Sequence, residues 1–365
     1  MLSHFFIKQI ISPVYIYSAS IFFISLSLIF VGYILIYFFF ERRKTIRIKI
    51  LKEIYSNIIS EAVLCSPEEL QKFLLQSNVQ VIKHKWFQKK FSRKYFLKEI
   101  FKTNENLSGS ALENLRELYI YFNLHKDSYK NLQSAKWYKK AKAFQQLAEM
   151  KQEQYYKSIY KDTFHPNKYV REEAQIAIVK VAGFHGLRFL NIIKYQLTHW
   201  QQLSLIHQLG KQPLLKIDNI TAWLTAQNDS VVEFALRLIE VYKIYVLHDA
   251  CFICWPHQKA IIRMQYLQTL CSIANEYTAD ILIDNYKTAT LNERILILKI
   301  LSFIAGKQQL PFLTSLLNNT NEEILYYTLK AIKDIDRGYS KTISKNFHSN
   351  PSFSFILSSL QPVVE

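Results

Sequence analysis

HPNKYVREEAQIAIVKVAGFHGLRFL, residues 165–190, runs from a polar turn through an apolar helix face to a glycine turn. Ala174, Ile178 and Val181 stand at i, i+4 and i+7, which is one face of an α-helix. Gly183 follows where a helix C-cap glycine belongs, as do Gly210 and Gly306 at later turns. Steps of about 31 residues from Ala174 land on Ala111, Ala143, Leu205, Ala235, Tyr266, Ile297 and Thr328. Four residues beyond each step lie Leu115, Leu147, Ile178, Leu209, Ile239, Leu270, Leu301 and Ile332, all apolar. Three further on lie Leu118, Met150, Val181, Gln212, Tyr242, Ile273, Ile304 and Ile335, with Gln212 the polar exception. One helix face recurring at this period predicts a stack of helix pairs, each burying its apolar side against its neighbours. The partner helices are expected over 187–197, 217–226, 278–287 and 310–319.

The 165–190 stretch resembles a HEAT-like repeat: polar turn, Val-Arg, an alanine three residues on, an apolar stripe, then a glycine turn and second helix. Residues 228–242, 292–306 and 320–332 look like weaker copies. The arginine of the pattern is kept at Arg171, Arg263 and Arg294 and replaced by Val232 and Leu325. The resemblance covers roughly residues 107–336. It implies an α-solenoid with a binding role and no activity of its own.

Outward from the repeats, residues 14–40 read VYIYSASIFFISLSLIFVGYILIYFFF, without a charge. At 1.5 Å per residue this helix would span about 40 Å, more than the ~30 Å hydrocarbon core of a bilayer. The run is too long for a signal peptide, and no small-residue cleavage site follows it. It is expected to be a transmembrane helix. Arg42, Arg43, Lys44, Arg47, Lys49 and Lys52 follow the run, against Lys8 before it. The positive-inside rule then puts the short N-terminus outside and the body in the cytoplasm, and a bacterial inner membrane is the expected location.

The division expected from these features is a short tail (1–13), the span (14–40), a basic helical juxtamembrane region (41–106), the solenoid (107–336) and a serine-rich tail or cap (337–365). Within 41–106, a stripe at Ile46, Ile50, Ile54, Ile58 and Ala62 marks one helix, and Ser66-Pro67 opens the next. A third is expected from Val79 to about Phe101.

Charge is uneven: residues 1–161 hold 26 Lys+Arg and 12 Asp+Glu, whereas 162–365 hold 20 and 17. The densest stretch, KHKWFQKKFSRKYFLKEIFK (83–102), interleaves cations with aromatics. A solvated helix face would need no function. A membrane-surface helix would set its cations among anionic headgroups, with Trp86, Phe87 and Phe91 at the acyl boundary. A nucleic-acid surface would set them on phosphates. Proximity to residues 14–40 ranks the membrane above nucleic acid. The candidate contact residues are Arg42, Arg43, Lys44, Lys83, Lys85, Lys89, Lys90, Arg93 and Lys94.

Four cysteines in a chain of this length make no disulfide framework. His248, Cys251, Cys254 and His257 are zinc-ligand types. Four such residues within one short apolar stretch would splay around an ion, so no metal site is expected. No phosphate loop, nucleophile elbow or His-Glu-x-x-His motif is present. The sequence thus points to a tethered scaffold for a protein partner, with no catalytic residues, cofactor or small-molecule substrate. The alternatives are a membrane-associated nucleic-acid-binding repeat protein and a non-catalytic accessory subunit of a membrane enzyme complex.

The positive-inside asymmetry sets a test of topology. A reporter active only in the cytoplasm should be active when fused after Glu365; activity of a periplasm-only reporter there would reverse the orientation.

Overall fold

The computed structural model describes residues 13–105, 107–210, 218–336 and 338–339. Every regular element among them is helical. They divide into two compact units, residues 1–134 and 135–365. Lys8, Gln212, the start of the expected 217–226 helix and the serine-rich tail apart from residues 338–339 fall outside the described residues.

The first unit is organised on α1 (Pro13–Leu64), a single helix of 52 residues that holds the whole apolar run and the basic residues behind it. It is followed by α2 (Pro67–Leu74), α3 (Ser77–Val81) and a π-helical turn (Ile82–Trp86), then α4 (Lys90–Asn104), α5 (Ser110–Tyr121) and α6 (Leu124–Leu132). Its core begins at Leu51 and continues through Tyr55, Ile58, Ile59 and Ala62. Ile46 and Ile50, expected on the same stripe, are exposed. Strict four-residue spacing drifts about 40° per step around a helix of 3.6 residues per turn, so the five positions do not share a face. Asn114 ties α5 to the end of α1, donating to the carbonyls of Ala62 at 3.0 Å and Cys65 at 2.7 Å. Ser66 and Glu69 close a capping box at the start of α2.

The helix expected from Val79 to Phe101 is broken at residues 87–89. In an unbroken helix Phe87 would share a face with Lys83, Lys90 and Lys94, at i−4, i+3 and i+7. The break releases Phe87 into the core, where its ring lies 4.4 Å from Phe122 and 5.1 Å from Phe96.

The second unit repeats a helix and a shorter partner. The leading helices are α7 (Trp137–Glu149), α9 (Lys168–Ala182), α10 (His199–Leu209), α12 (Asp229–Tyr242), α13 (Ala260–Ser272), α15 (Leu291–Ile304) and α17 (Glu322–Ile335). Their N-caps fall at 136, 167, 198, 228, 259, 290 and 321. Four partners are α-helical: α8 (Tyr156–Asp162), α11 (Asp218–Leu224), α14 (Thr278–Tyr286) and α16 (Leu310–Ser315). The other two are 3-10 turns, Gly183–Asn191 and Asp249–Cys254.

The period has a polar as well as an apolar cause. Asn167, Asn228 and Asn321 accept from backbone N–H groups of the first turn, and Thr198 and Gln201 form a capping box; each cap satisfies donors the helix leaves open. Leu147, Ile178, Leu209, Ile239, Leu270, Leu301 and Ile332 are all fully buried. Polar bonds pass from repeat to repeat at the same interval: Gln202 to Glu233 (3.1 Å), Arg263 to Glu293 (2.8 Å), Thr269 to the Leu236 carbonyl (3.1 Å) and Gln309 to Asp280 (2.9 Å).

The helix expected over 187–197 is absent: a 3-10 turn gives way to irregular chain after Asn191. Gly183 leaves α9 at φ +58°, which favours glycine. At Gly186 the chain comes so close to α9 that a Cβ would lie 2.5 Å from the Ile178 carbonyl oxygen. The residues beyond are held by the next repeat instead of by helical bonds. Asn228 donates to the carbonyls of Ile193 and Tyr195, and the Leu197 N–H donates to Ser230. Of the three expected C-cap glycines, Gly183 alone uses a positive φ; Gly210 stays right-handed and Gly306 is extended.

Two kinds of variant check this fold. Ile178→Ala should lower unfolding stability by about 2–5 kcal/mol, and Gly186→Ala by about 1–3 kcal/mol through forced displacement of backbone, both read by denaturant melts. Deleting one repeat, Asn292–Glu322, should leave a helical, cooperatively folded protein of reduced stability. A molten product would count against nearest-neighbour stacking.

Candidate interaction surface

The nine basic residues singled out in the sequence separate into two groups. Arg42, Arg43 and Lys44 are exposed on consecutive positions of α1, so they point about 100° apart and form a collar. Arg43 leans back over the Phe39 ring at 4.3 Å, and Lys44 pairs with Glu41 at 2.8 Å. Lys85, Lys89, Lys90 and Lys94 are also exposed. Lys83 and Arg93 instead have internal work. Lys83 Nζ sits 3.6 Å from the centre of the Tyr121 ring. Arg93 bonds Asp127 at 2.7 Å and the Asn123 carbonyl at 3.0 Å.

Of the three aromatics expected at an acyl boundary, Phe87 is buried and unable to serve, because it belongs to the Tyr55–Phe96–Phe122 cluster. Phe91 is exposed. Tyr55 donates to or accepts from Ser92 at 2.6 Å, which fixes the first turn of α4 against α1. No acidic residue offsets Lys90 in that turn, although cations at a helix N-terminus are electrostatically disfavoured.

The His/Cys stretch disperses. His248 is buried, with Nε2 2.8 Å from the Thr278 hydroxyl and Nδ1 2.8 Å from Asp249. Cys251 donates to the Leu247 carbonyl, and Cys254 lies 3.9 Å from that of Leu224. His257 faces Asp229 at 3.3 Å while its Nδ1 accepts from the Lys259 N–H. Among the described residues no group of three or more His, Cys, Asp or Glu side chains converges. Burial pushes the Cys251 thiol up to about 12 and that of Cys254 to about 11, so neither is a reactive thiolate near neutrality.

His257 and His165 do the same job three repeats apart. Each accepts through Nδ1 from the N-cap residue two positions on, at 3.1 and 3.0 Å. Arg171, Arg263 and Arg294 turn back onto carbonyls of the turn before their helix. The arginine of the repeat pattern is thus a tie for the turn.

Two shallow clefts are open to solvent. One, of about 340 Å³, is lined by Tyr156, Tyr160, Arg188, Asn191 and Ile192. The other, of about 310 Å³, lies in the first unit among Ile59, Val63, Thr103 and Leu107, with Glu99 its one acidic group.

No family model and no curated protein matches this sequence. Solved structures do. One engineered protein is 15% identical over 59% of this chain and 97% of its own, with a TM-score of 0.30. A second engineered protein is 12% identical over 87% of each chain, with a TM-score of 0.31. Human deoxyhypusine hydroxylase in complex with glycerol is 12% identical over 85% of this chain and 96% of its own, with a TM-score of 0.26.

The thiols give a pH test. A thiol held protonated in the folded state favours unfolding once the unfolded thiol ionises. Stability should therefore fall as pH rises above the ordinary value of 9.0 toward about 12. In Cys251→Ala/Cys254→Ala that part of the decline in urea midpoint should disappear. An unchanged pH profile in the double variant would show that the thiols do not ionise on unfolding as proposed.

Proposed function

We propose that this protein is a membrane-tethered scaffold whose repeat unit, of HEAT-like type, binds a protein partner in the cytoplasm. One observation carries the tether: an apolar run long enough to cross a bilayer continues as one helix into a packed body. Its most apolar 18-residue window has a mean hydropathy of 2.5 and no residue buried by the rest of the chain. A soluble core helix would be covered. In this reading Arg42, Arg43 and Lys44 meet anionic headgroups directly behind the span. Lys89, Lys90 and Lys94 lie further out. The Tyr55–Ser92 bond places their turn 15 residues past Phe40, roughly 22 Å along an α-helix, which leaves these cations for an acidic partner surface.

The scaffold role is supported by the second unit. Its buried Glu233, Gln265, Glu293 and Gln309 side chains are engaged in caps and repeat-to-repeat bonds, and a stack of repeats offers a long continuous face for recognition. In this reading the chain supplies binding, with no catalytic residues or cofactor of its own. Photo-crosslinking in native membranes should trap a protein across the repeat unit. Recovery of the chain in the soluble fraction, or crosslinks to nothing but itself, would sink this function.

A further inference from the structure

Three large rings stand outside the solvent-averse pattern of the repeats. Tyr138, Tyr169 and Trp200 are 52, 60 and 76% exposed. Each is the second residue after its N-cap, at Lys136, Asn167 and Thr198. They therefore occupy the same place on α7, α9 and α10. These leading helices pack α7 on α9 and α9 on α10, and packed helices lie about 8–10 Å apart. The rings form a row with one rung per repeat. Trp137 bridges the first two rungs, its ring 5.3 Å from that of Tyr169. The row ends at α12, where the equivalent position is the buried Ser230.

Charge along the row is graded. Beside Tyr138, Lys139 and Lys142 are exposed and pair with no carboxylate among the described residues. At the second rung Lys168 is engaged by Glu172 at 3.7 Å. Helix α10, which carries the most exposed ring, has no Lys or Arg at all. A nucleic-acid strand would need a cation for phosphate at every rung. A protein segment with an acidic end and an apolar end matches the gradient.

The spacing selects a conformation. A polyproline II segment turns once every three residues, about 9.3 Å, close to the helix-to-helix interval. In a β-strand, residues on one face recur every ~6.6 Å. Exposed Trp and Tyr rings are also the surfaces that take proline. We propose that Tyr138, Tyr169 and Trp200 dock an extended, proline-containing segment of the partner protein, acidic toward α7 and apolar toward α10. This rests on the scaffold function and specifies the partner's chemistry.

The test uses the full chain in detergent micelles and a synthetic peptide of Glu-Pro-Pro triplets followed by Leu-Pro-Pro triplets. Binding is read by tryptophan fluorescence and calorimetry. Trp200→Ala and Tyr169→Ala should each weaken it about tenfold. Lys139→Glu/Lys142→Glu should weaken it and flatten its salt dependence. Phe303→Ala, which removes an exposed ring elsewhere on the same unit, should leave it unchanged. Replacing Glu by Lys or Pro by Gly in the peptide should abolish binding. Absence of peptide binding, or indifference to Trp200→Ala, overturns the proposal. So does a row that instead binds oligouridine, or vesicles of phosphatidylglycerol and phosphatidylcholine, with loss in Trp200→Ala. Native-membrane crosslinking of the same variant separates the two levels. A protein trapped equally by wild type and Trp200→Ala overturns the docking row and leaves the scaffold, whereas nothing trapped by wild type removes the scaffold itself.

Discussion

A single helix pair has one apolar face more than it can cover by itself, and the second unit is built around that shortage. Leu147, Ile178, Leu209, Ile239, Leu270, Leu301 and Ile332 are all fully buried, yet each needs a neighbouring repeat to exclude water. Burial of a large aliphatic side chain contributes about 1.5–3 kcal/mol, so every repeat is conditional on its neighbours. The polar contacts obey the same dependence: Gln202 with Glu233 and Arg263 with Glu293 span one repeat interval. The N-caps at that interval fix where each leading helix begins, and so keep the apolar faces in phase.

The leading helices were legible in the sequence because periodicity encodes them twice, in the apolar face and in the step between copies. The partner elements were less legible. Residues 187–197 are apolar enough for a helix, but two features with no signature in their own composition decide otherwise: the near-contact at Gly186 and the backbone bonds supplied by Asn228 and Ser230. Phe87 shows the same limit. Its neighbours Lys85, Lys89 and Lys90 read as one amphipathic surface, and only the tertiary cluster with Phe122 and Phe96 accounts for the break that draws it inward.

Surface function was the least legible layer. A cation in a basic stretch reads alike whether it faces solvent or a neighbouring ring, so Lys83 and Arg93 could not be told from Lys89 and Lys90 before the positions of Tyr121 and Asp127 were known. The ring row had a usable signal. Tyr138, Tyr169 and Trp200 differ by the repeat interval, and large aromatics recurring in phase with the N-caps, off the buried face, mark exposure by arithmetic alone. The His/Cys stretch shows the opposite. Its ligand types attract attention, but each side chain is occupied by a different local bond.

Helix α1 has a mechanical corollary. Between Tyr33 and Leu64 it contains neither glycine nor proline, the usual causes of a sharp kink, and its buried face starts only at Leu51. The mostly exposed interval from Glu41 to Ile50 is therefore a torsionally stiff shaft, not a flexible leash. Whatever environment grips the apolar end sets the azimuth of the first unit as well as its distance. One residue added within that interval would advance the unit by about 1.5 Å and turn it by about 100°, presenting a different side to its surroundings with every internal contact unchanged. Heading, more than reach, is what the shaft controls.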